Sequence, residues 1–313
     1  MRGKIAVVVC ALFLAACGGV ESADEGVQGD QTIESGRAHA VAFTAGATPE
    51  AAAVSGKVQY FGGPVIANVK VVLVLWGSGI DATLVDRLGA FYAAVVASPY
   101  YDWLNEYDTP SQKIGRGSFA GAFAIVPKAV GASLSDAQIE AELLSQIARS
   151  RLPKADANTL YMIHFPPGVQ ITLAGAPSCA AGGFCGYHNT LRHGGRTIAY
   201  AVLPDMGKGS GCDAGCGAAK ATLDLVTSVA SEELIEATTD RNVGLAKGLA
   251  APLGWYDAQR GEIGDVCGSR TGKLRAGGSV WTVRKGWSNK ANACILSRSG
   301  ASGTRNAAGP DDD

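Results

Sequence analysis

Basic residues are neither abundant nor clustered: 27 Lys and Arg stand against 28 Asp and Glu, for a net charge of −1. With no basic run, the electrostatic footprint of a nucleic-acid-binding surface is missing, and nucleic acid is not an expected partner. The chain also lacks a phosphate-cradling glycine loop, a Gly-x-Ser-x-Gly nucleophile elbow and a Cys-His nucleophile pattern, which removes the nucleotide-dependent, serine-hydrolase and cysteine-hydrolase classes. No apolar run reaches the roughly 20 residues a bilayer-spanning helix needs. The longest near the start, Ile5 to Phe13, follows Arg2 and Lys4 and leads into Leu14-Ala15-Ala16-Cys17.

That arrangement reads as a secretory signal over residues 1–16, ending in a lipobox whose cysteine becomes the acylated first residue. The expectation is therefore an exported protein held to a membrane by lipid on Cys17. Gly18, in place of Asp, favours the outer membrane. Residues 17–56 carry almost no large apolar side chain and cannot bury enough surface to offset ordering, so they are expected to form a flexible tether, His39 included. Residues 299–313, ending GPDDD, are expected to be unstructured as well. Between them, residues 57–298 suffice for one large core or two fused lobes.

Setting aside Cys10 in the signal and Cys17, six cysteines remain: Cys179, Cys185, Cys212, Cys216, Cys267 and Cys294. An even number in an oxidising compartment points to disulfides, and the spacings fit a zinc knuckle poorly. Cys267 and Cys294 bracket a hairpin and are expected to pair. Cys212 and Cys216 then pair with each other or with Cys179 and Cys185.

Asn68 to Trp76 is a β-branched apolar run, the mark of a strand buried on both faces. Asp81 can cap a helix in which Leu84, Leu88, Phe91 and Val95 recur at helical spacing, ending by Pro99. Ser135-Asp136-Ala137-Gln138 forms a capping box for a helix to about Arg151. Further strands are expected from Thr159 to Phe165 and from Thr197 to Leu203. This is the pattern of an α/β protein with a mixed sheet flanked by helices and joined by Cys-rich and Gly-rich loops.

A last helix is expected from about Ala218 to Thr239. Leu223, Val226, Ala230, Leu234 and Ala237 make one core stripe, and a nearly opposite stripe runs through Leu225 and Val229 into Glu232, Glu236 and Asp240. Stacked carboxylates repel, so an open cleft or a cation is required. The segment SEELIEATTD occupies the frame of a zinc-peptidase His-Glu-x-x-His helix, with Glu232 where the first histidine would stand.

Taken together, YFGGPVIANVKVVLVLWG, GFCGYHNTL, CDAGC, SEELIEATTDRNVG, GWYDAQRGEIGDVC and Trp-Ser-Asn before the final cysteine resemble secreted bacterial and fungal relatives of the plant phosphate-induced, EXORDIUM-like proteins, over about residues 58–295. The resemblance implies a zincin-like domain whose helix usually reads Ser-His-Glu-Leu-x-Glu-Ala-x-Thr-Asp-Pro. Position by position, Glu233 matches the general base, Glu236 the second ligand and Asp240 the following aspartate. Glu232 replaces the histidine, Arg241 the proline, and Phe61 a second histidine before the Gly-Gly-Pro turn.

Candidate metal ligands are thus Glu232, Glu236, Asp240 and His188, with Glu233 as candidate catalytic base. His164 in an apolar strand is expected to be a core residue, and His193 to be exposed. Asn242, Asp257, Glu262 and Asp265, spaced by glycines, form a calcium-type oxygen set. An all-oxygen set suits Ca, whereas imidazole favours Zn. Trp255 and Trp281 are candidate sugar platforms or core residues. Two functions are expected: a surface lipoprotein with a degenerate metallopeptidase-like domain binding envelope polysaccharide or protein, or a working metal-dependent peptidase.

Overall fold

The central sheet is assembled from residues that can be buried on both sides. In the computed structural model, which describes residues 34–35, 39–42 and 55–298, seven strands form this sheet. Across it lie Ser118–Ile125, Lys70–Trp76, Thr159–His164, Arg196–Leu203 and Phe184–His193 in that order. The first four are mutually parallel and the last is antiparallel. The short strands Glu34–Ser35 and His39–Ala42 both pair antiparallel with the outer side of Phe184–His193. The described residues fall within one compact unit, Thr32–Asp313.

The β-branched run behaves as its composition dictates: from Val71 to Trp76 every residue is buried. Helix Ala82–Val96 starts at Asp81, whose carboxylate accepts the Leu84 amide at 2.9 Å. Helix Asp136–Ala148 starts on the Ser135–Gln138 capping box, with both reciprocal bonds present. Each caps an otherwise orphaned amide, a contribution of about 1 kcal/mol. The two helices cover opposite faces. Leu88 and Phe91 pack with Val71, Leu73 and Met162, whereas Ile139 and Leu143 pack with Val72, Val74 and Ile163.

The carboxylate helix, Thr222–Thr239, begins four residues later than the apolar pattern predicts, after a short turn of helix at Cys212–Gly215. It is buried all round from Leu225 to Thr239. One side packs on strands Phe184–His193 and Arg196–Leu203, and the other is covered by the hairpin Thr271–Ala276 and Ser279–Arg284. This accounts for the two opposed apolar stripes: each has its own layer to meet.

Two expectations need correction. Phe184–His193 is read from sequence as part of a Cys-rich loop, yet it is a ten-residue strand. Its Gly and Asn residues have low strand propensity, and pairing on both sides overrides that. Residues 17–56 are expected to be tether, but Glu34–Ser35 and His39–Ala42 join the sheet edge, where backbone pairing needs no large side chains. Cys17, the signal segment, the rest of 17–54 and residues 299–313 lie outside the described residues.

Among the described residues three disulfides tie the loops: Cys179–Cys212, Cys185–Cys216 and Cys267–Cys294. The last is the pair expected from sequence. The first two decide the open alternative in favour of cross-pairing, stapling the turn of helix at 212–215 to the loop and strand at 179–185. With both partners oxidised, the proximity of Cys185, Cys212 and Cys216 reflects disulfides rather than thiolate ligands.

A buried histidine and carboxylate cluster

Four side chains from three elements meet between the carboxylate helix and the sheet. Strand Phe184–His193 presents His188, the carboxylate helix presents Glu233 and Glu236, and the loop GEIGD presents Glu262. His188 Nδ1 lies 3.0 Å from Glu233 Oε2 and 3.9 Å from Glu236 Oε2, while Nε2 lies 3.2 Å from Glu262 Oε2. The four side chains are 0 or 1% exposed.

Glycines make this approach possible. A Cβ on Gly264 would come within 2.5 Å of Glu236 Oε1 and 2.8 Å of Glu232 Cγ, so only hydrogen fits there. Lacking that carbon, the loop brings the amides of Gly264 and Asp265 to Glu236 Oε1 at 3.0 and 3.1 Å. Gly186 plays the same part on the strand, where an added Cβ would meet Glu233 Oε1 at 3.1 Å.

The carboxylate repulsion expected from sequence is relieved group by group. Glu232 lies 3.3 Å from Arg284 Nε, in a pair only 3 to 4% exposed. Arg284 is held by Ser228 Oγ and the carbonyls of Gly268 and Cys216. Glu236 accepts the two loop amides, and Asp240 accepts the Gly254 amide at 2.8 Å. Glu233 accepts from His188. Burial works against a charged imidazole, but the Glu262 and Glu233 carboxylates outweigh it and hold the His188 pKa up at about 10. At neutral pH His188 is therefore an imidazolium, its Nδ1 donating to Glu233 and its Nε2 in ion-pair range of Glu262.

His188, Glu236 and Glu262 also satisfy the distance requirement for a shared cation, with one ligand atom from each all within 4.8 Å of one another. One imidazole and two carboxylates suit a divalent ion, but that ion would have to displace the His188 proton. Glu232, although it occupies the histidine position of the peptidase motif, is directed to Arg284 instead.

The calcium-type residues do not gather around one point with their oxygens free. Asp257 accepts the amides of Lys57, Gln259 and Arg260, and although burial opposes it, these bonds hold its pKa below the usual carboxylate range. Asp265 Oδ2 accepts the Glu262 amide, and Asn242 Oδ1 accepts from Arg241. Of that set, Glu262 is the residue that joins His188.

Comparison with protein-family profiles, curated proteins and solved structures finds no match.

The aromatic candidates occupy packed positions. Trp281 is 1% exposed, edge-on to Phe91 with Arg87 over its ring, and Trp255 packs against Tyr60 and Tyr107. His164 is buried with its Nε2 2.8 Å from Tyr92 Oη, and His193 is half-buried at a strand end rather than exposed. Arg241 turns its guanidinium onto Thr197, and Phe61 gives its amide to Gly254. Sequence reasoning missed Arg284 and Gly264. The one sequence signal was the glycine repeated through GEIGD; Arg284 alternates with Trp281 and Val283 and so reads as an outward residue.

Proposed function

We propose that this chain is an exported envelope lipoprotein whose zincin-like, EXORDIUM-related domain serves binding or adhesion rather than hydrolysis. The observation that carries this reading is closure of the cluster: His188, Glu233, Glu236 and Glu262 are sealed from solvent, and His188 is occupied by its own proton between carboxylates. A substrate carbonyl needs access to the base within hydrogen-bond reach, and a sealed Glu233 offers none. Glu232 supports the same reading, since a carboxylate paired with Arg284 is a structural ion pair. In this role the cluster ties the helix, the strand and the GEIGD loop together. The binding target is envelope polysaccharide or protein, and Cys17 carries the lipid that holds the domain at the outer membrane.

A second reading is favoured by the mutual approach of the His188, Glu236 and Glu262 ligand atoms. A divalent cation held there would supply Lewis-acid polarisation, with Glu233 positioned to take a proton from water. The domain would then be a metal-dependent peptidase.

Elemental analysis of the purified protein and a casein digestion assay separate the two. The proposal expects no casein cleavage with Zn, Ca or Mn added, and no stoichiometric zinc. Metal-dependent cleavage abolished by Glu233→Gln, with the fold intact by circular dichroism, would overturn it. The anchor is tested apart: Cys17→Ser is expected to move the protein out of the membrane fraction, and retention there without palmitate labelling of the wild type would refute lipidation.

A further inference from the structure

An opening lies away from the buried cluster, at the carboxyl ends of the parallel strands. Its volume is about 560 Å³, and it is walled by residues that follow three adjacent strands: Gly79 to Asp81 after Lys70–Trp76, His164 to Pro167 at the end of Thr159–His164, and Pro204 to Gly207 after Arg196–Leu203. The topology explains the opening. From Lys70–Trp76 the chain crosses by helix Ala82–Val96 to Ser118–Ile125 on one side, then returns by helix Asp136–Ala148 to Thr159–His164 on the other. The chain thus leaves Lys70–Trp76 toward Ser118–Ile125 but leaves the neighbouring Thr159–His164 in the other direction, toward Phe184–His193 and Arg196–Leu203, so the loops diverge between these two strands. In open α/β sheets this switch point is where ligands bind.

The lining is chemically specific. Leu84, Phe165, Met206 and Leu223 give it apolar walls, and Asp81, Asp205 and Arg87 place both signs of charge around them. Asp81 already accepts the Leu84 amide at the helix start, which removes that end of the helix as an anion site. Asp205 accepts the Gly207 amide through Oδ1. Arg87 lies over Trp281 at 4.6 Å and forms no ion pair among the described residues. His164, at the cavity wall, is bonded to Tyr92 and uncharged. A ligand matched to this set carries an ammonium, a carboxylate and an apolar body. Six residues separate Asp81 from Arg87 on the helix, about 9 Å at 1.5 Å per residue. An extended tripeptide spans about 10 Å.

We infer that the switch-point cavity binds short apolar peptides with free termini, the ammonium received by Asp81 and Asp205 and the carboxylate by Arg87. This goes beyond the non-catalytic reading of the buried cluster and does not depend on it.

The test is isothermal titration of the full chain with the tripeptide Leu-Phe-Leu, its N-acetylated form and its C-terminal amide. Saturable one-to-one binding is expected, weakened about tenfold or more by either cap, a change of about 1.4 kcal/mol or more. Arg87→Met keeps the stacking on Trp281 and removes the charge, so it is expected to bind the acid and the amide equally. Leu223→Trp, with its fold checked by near-ultraviolet circular dichroism, is expected to abolish binding by filling the cavity. Absence of saturable binding to the wild type, equal affinity for free and capped peptides, or undiminished binding to folded Leu223→Trp would each overturn the inference. The capped peptides decide the matter on the wild type alone if a variant does not fold.

Discussion

Acid should destabilise this protein through His164 before most of its carboxylates titrate. Burial drives the His164 pKa from 6.5 down to about 3. The side chain sits at the end of strand Thr159–His164, 4% exposed, bonded to Tyr92. Between those two pH values the unfolded chain protonates this histidine and the native protein does not. The unfolded state then binds more protons, so stability rises with pH across the window and falls on acidification. One pKa unit corresponds to about 1.4 kcal/mol, and the unfolded histidine is already half protonated at its own pKa, so lowering the pH from about 6.5 to about 4.5 removes about 2.3 kcal/mol. His188 has the opposite sign. With its native pKa at about 10, its stabilisation is fully present below 6.5 and is lost only as pH rises towards 10, so it is flat across this window. Urea unfolding at the two pH values, disulfides intact, measures the loss. Repeating it with His164→Gln removes the titration while carboxylate contributions common to both proteins cancel. The variant is expected to lose about 2.3 kcal/mol less than the wild type over that interval. Equal acid sensitivity in the two proteins would refute the argument, because it would mean that His164 protonates in the native state as readily as in the unfolded chain.

Arg284→Met leaves Glu232 buried opposite an apolar side chain and is expected to cost about 3–5 kcal/mol, with much of that loss recovered in the Glu232→Gln, Arg284→Met double variant. Additive losses in a double-mutant cycle would show that the two groups are not coupled. Gly264→Ala drives a methyl into Glu236 and Glu232 and is expected to lower stability by about 1–3 kcal/mol, whereas Gly248→Ala, in open space, is expected to change it by less than about 0.5 kcal/mol. Chemical denaturation that ranks the two alike would refute the close-approach argument. Replacing Cys267 and Cys294 with Ser opens a loop of 27 residues and is expected to cost about 3–4 kcal/mol, which a shift in the urea midpoint would report.

Wherever a local pattern was sufficient by itself, the sequence determined the structure. Asp81 and Ser135 announce their helices because a capping oxygen must sit within reach of amides two or three residues on. The apolar run through Val71 to Trp76 announces a strand buried on both faces, and the opposed stripes through Val226 and Val229 announce a helix covered twice. The need to offset charge at Glu232, Glu236 and Asp240 was equally legible, because like carboxylates one turn apart repel wherever the helix lies. The identity of what offsets them was not. Arg284 is 52 residues from Glu232, and the amides on Glu236 come from Gly264 and Asp265. No periodicity joins such positions, and only the folding of the hairpin and of the GEIGD loop onto the helix brings them together. Tertiary structure likewise turned the GFCGYHNTL segment into a strand, because pairing on both edges outweighs the poor propensities of Gly and Asn. It also chose among the disulfide pairings, since the chain path, not spacing, decides which sulfurs meet. Finally it separated His188 and Glu262 from the calcium-type residues with which Glu262 shares a loop, because a buried imidazolium draws in the carboxylates that can reach it while Asp257 and Asp265 are satisfied by the amides of their own turns.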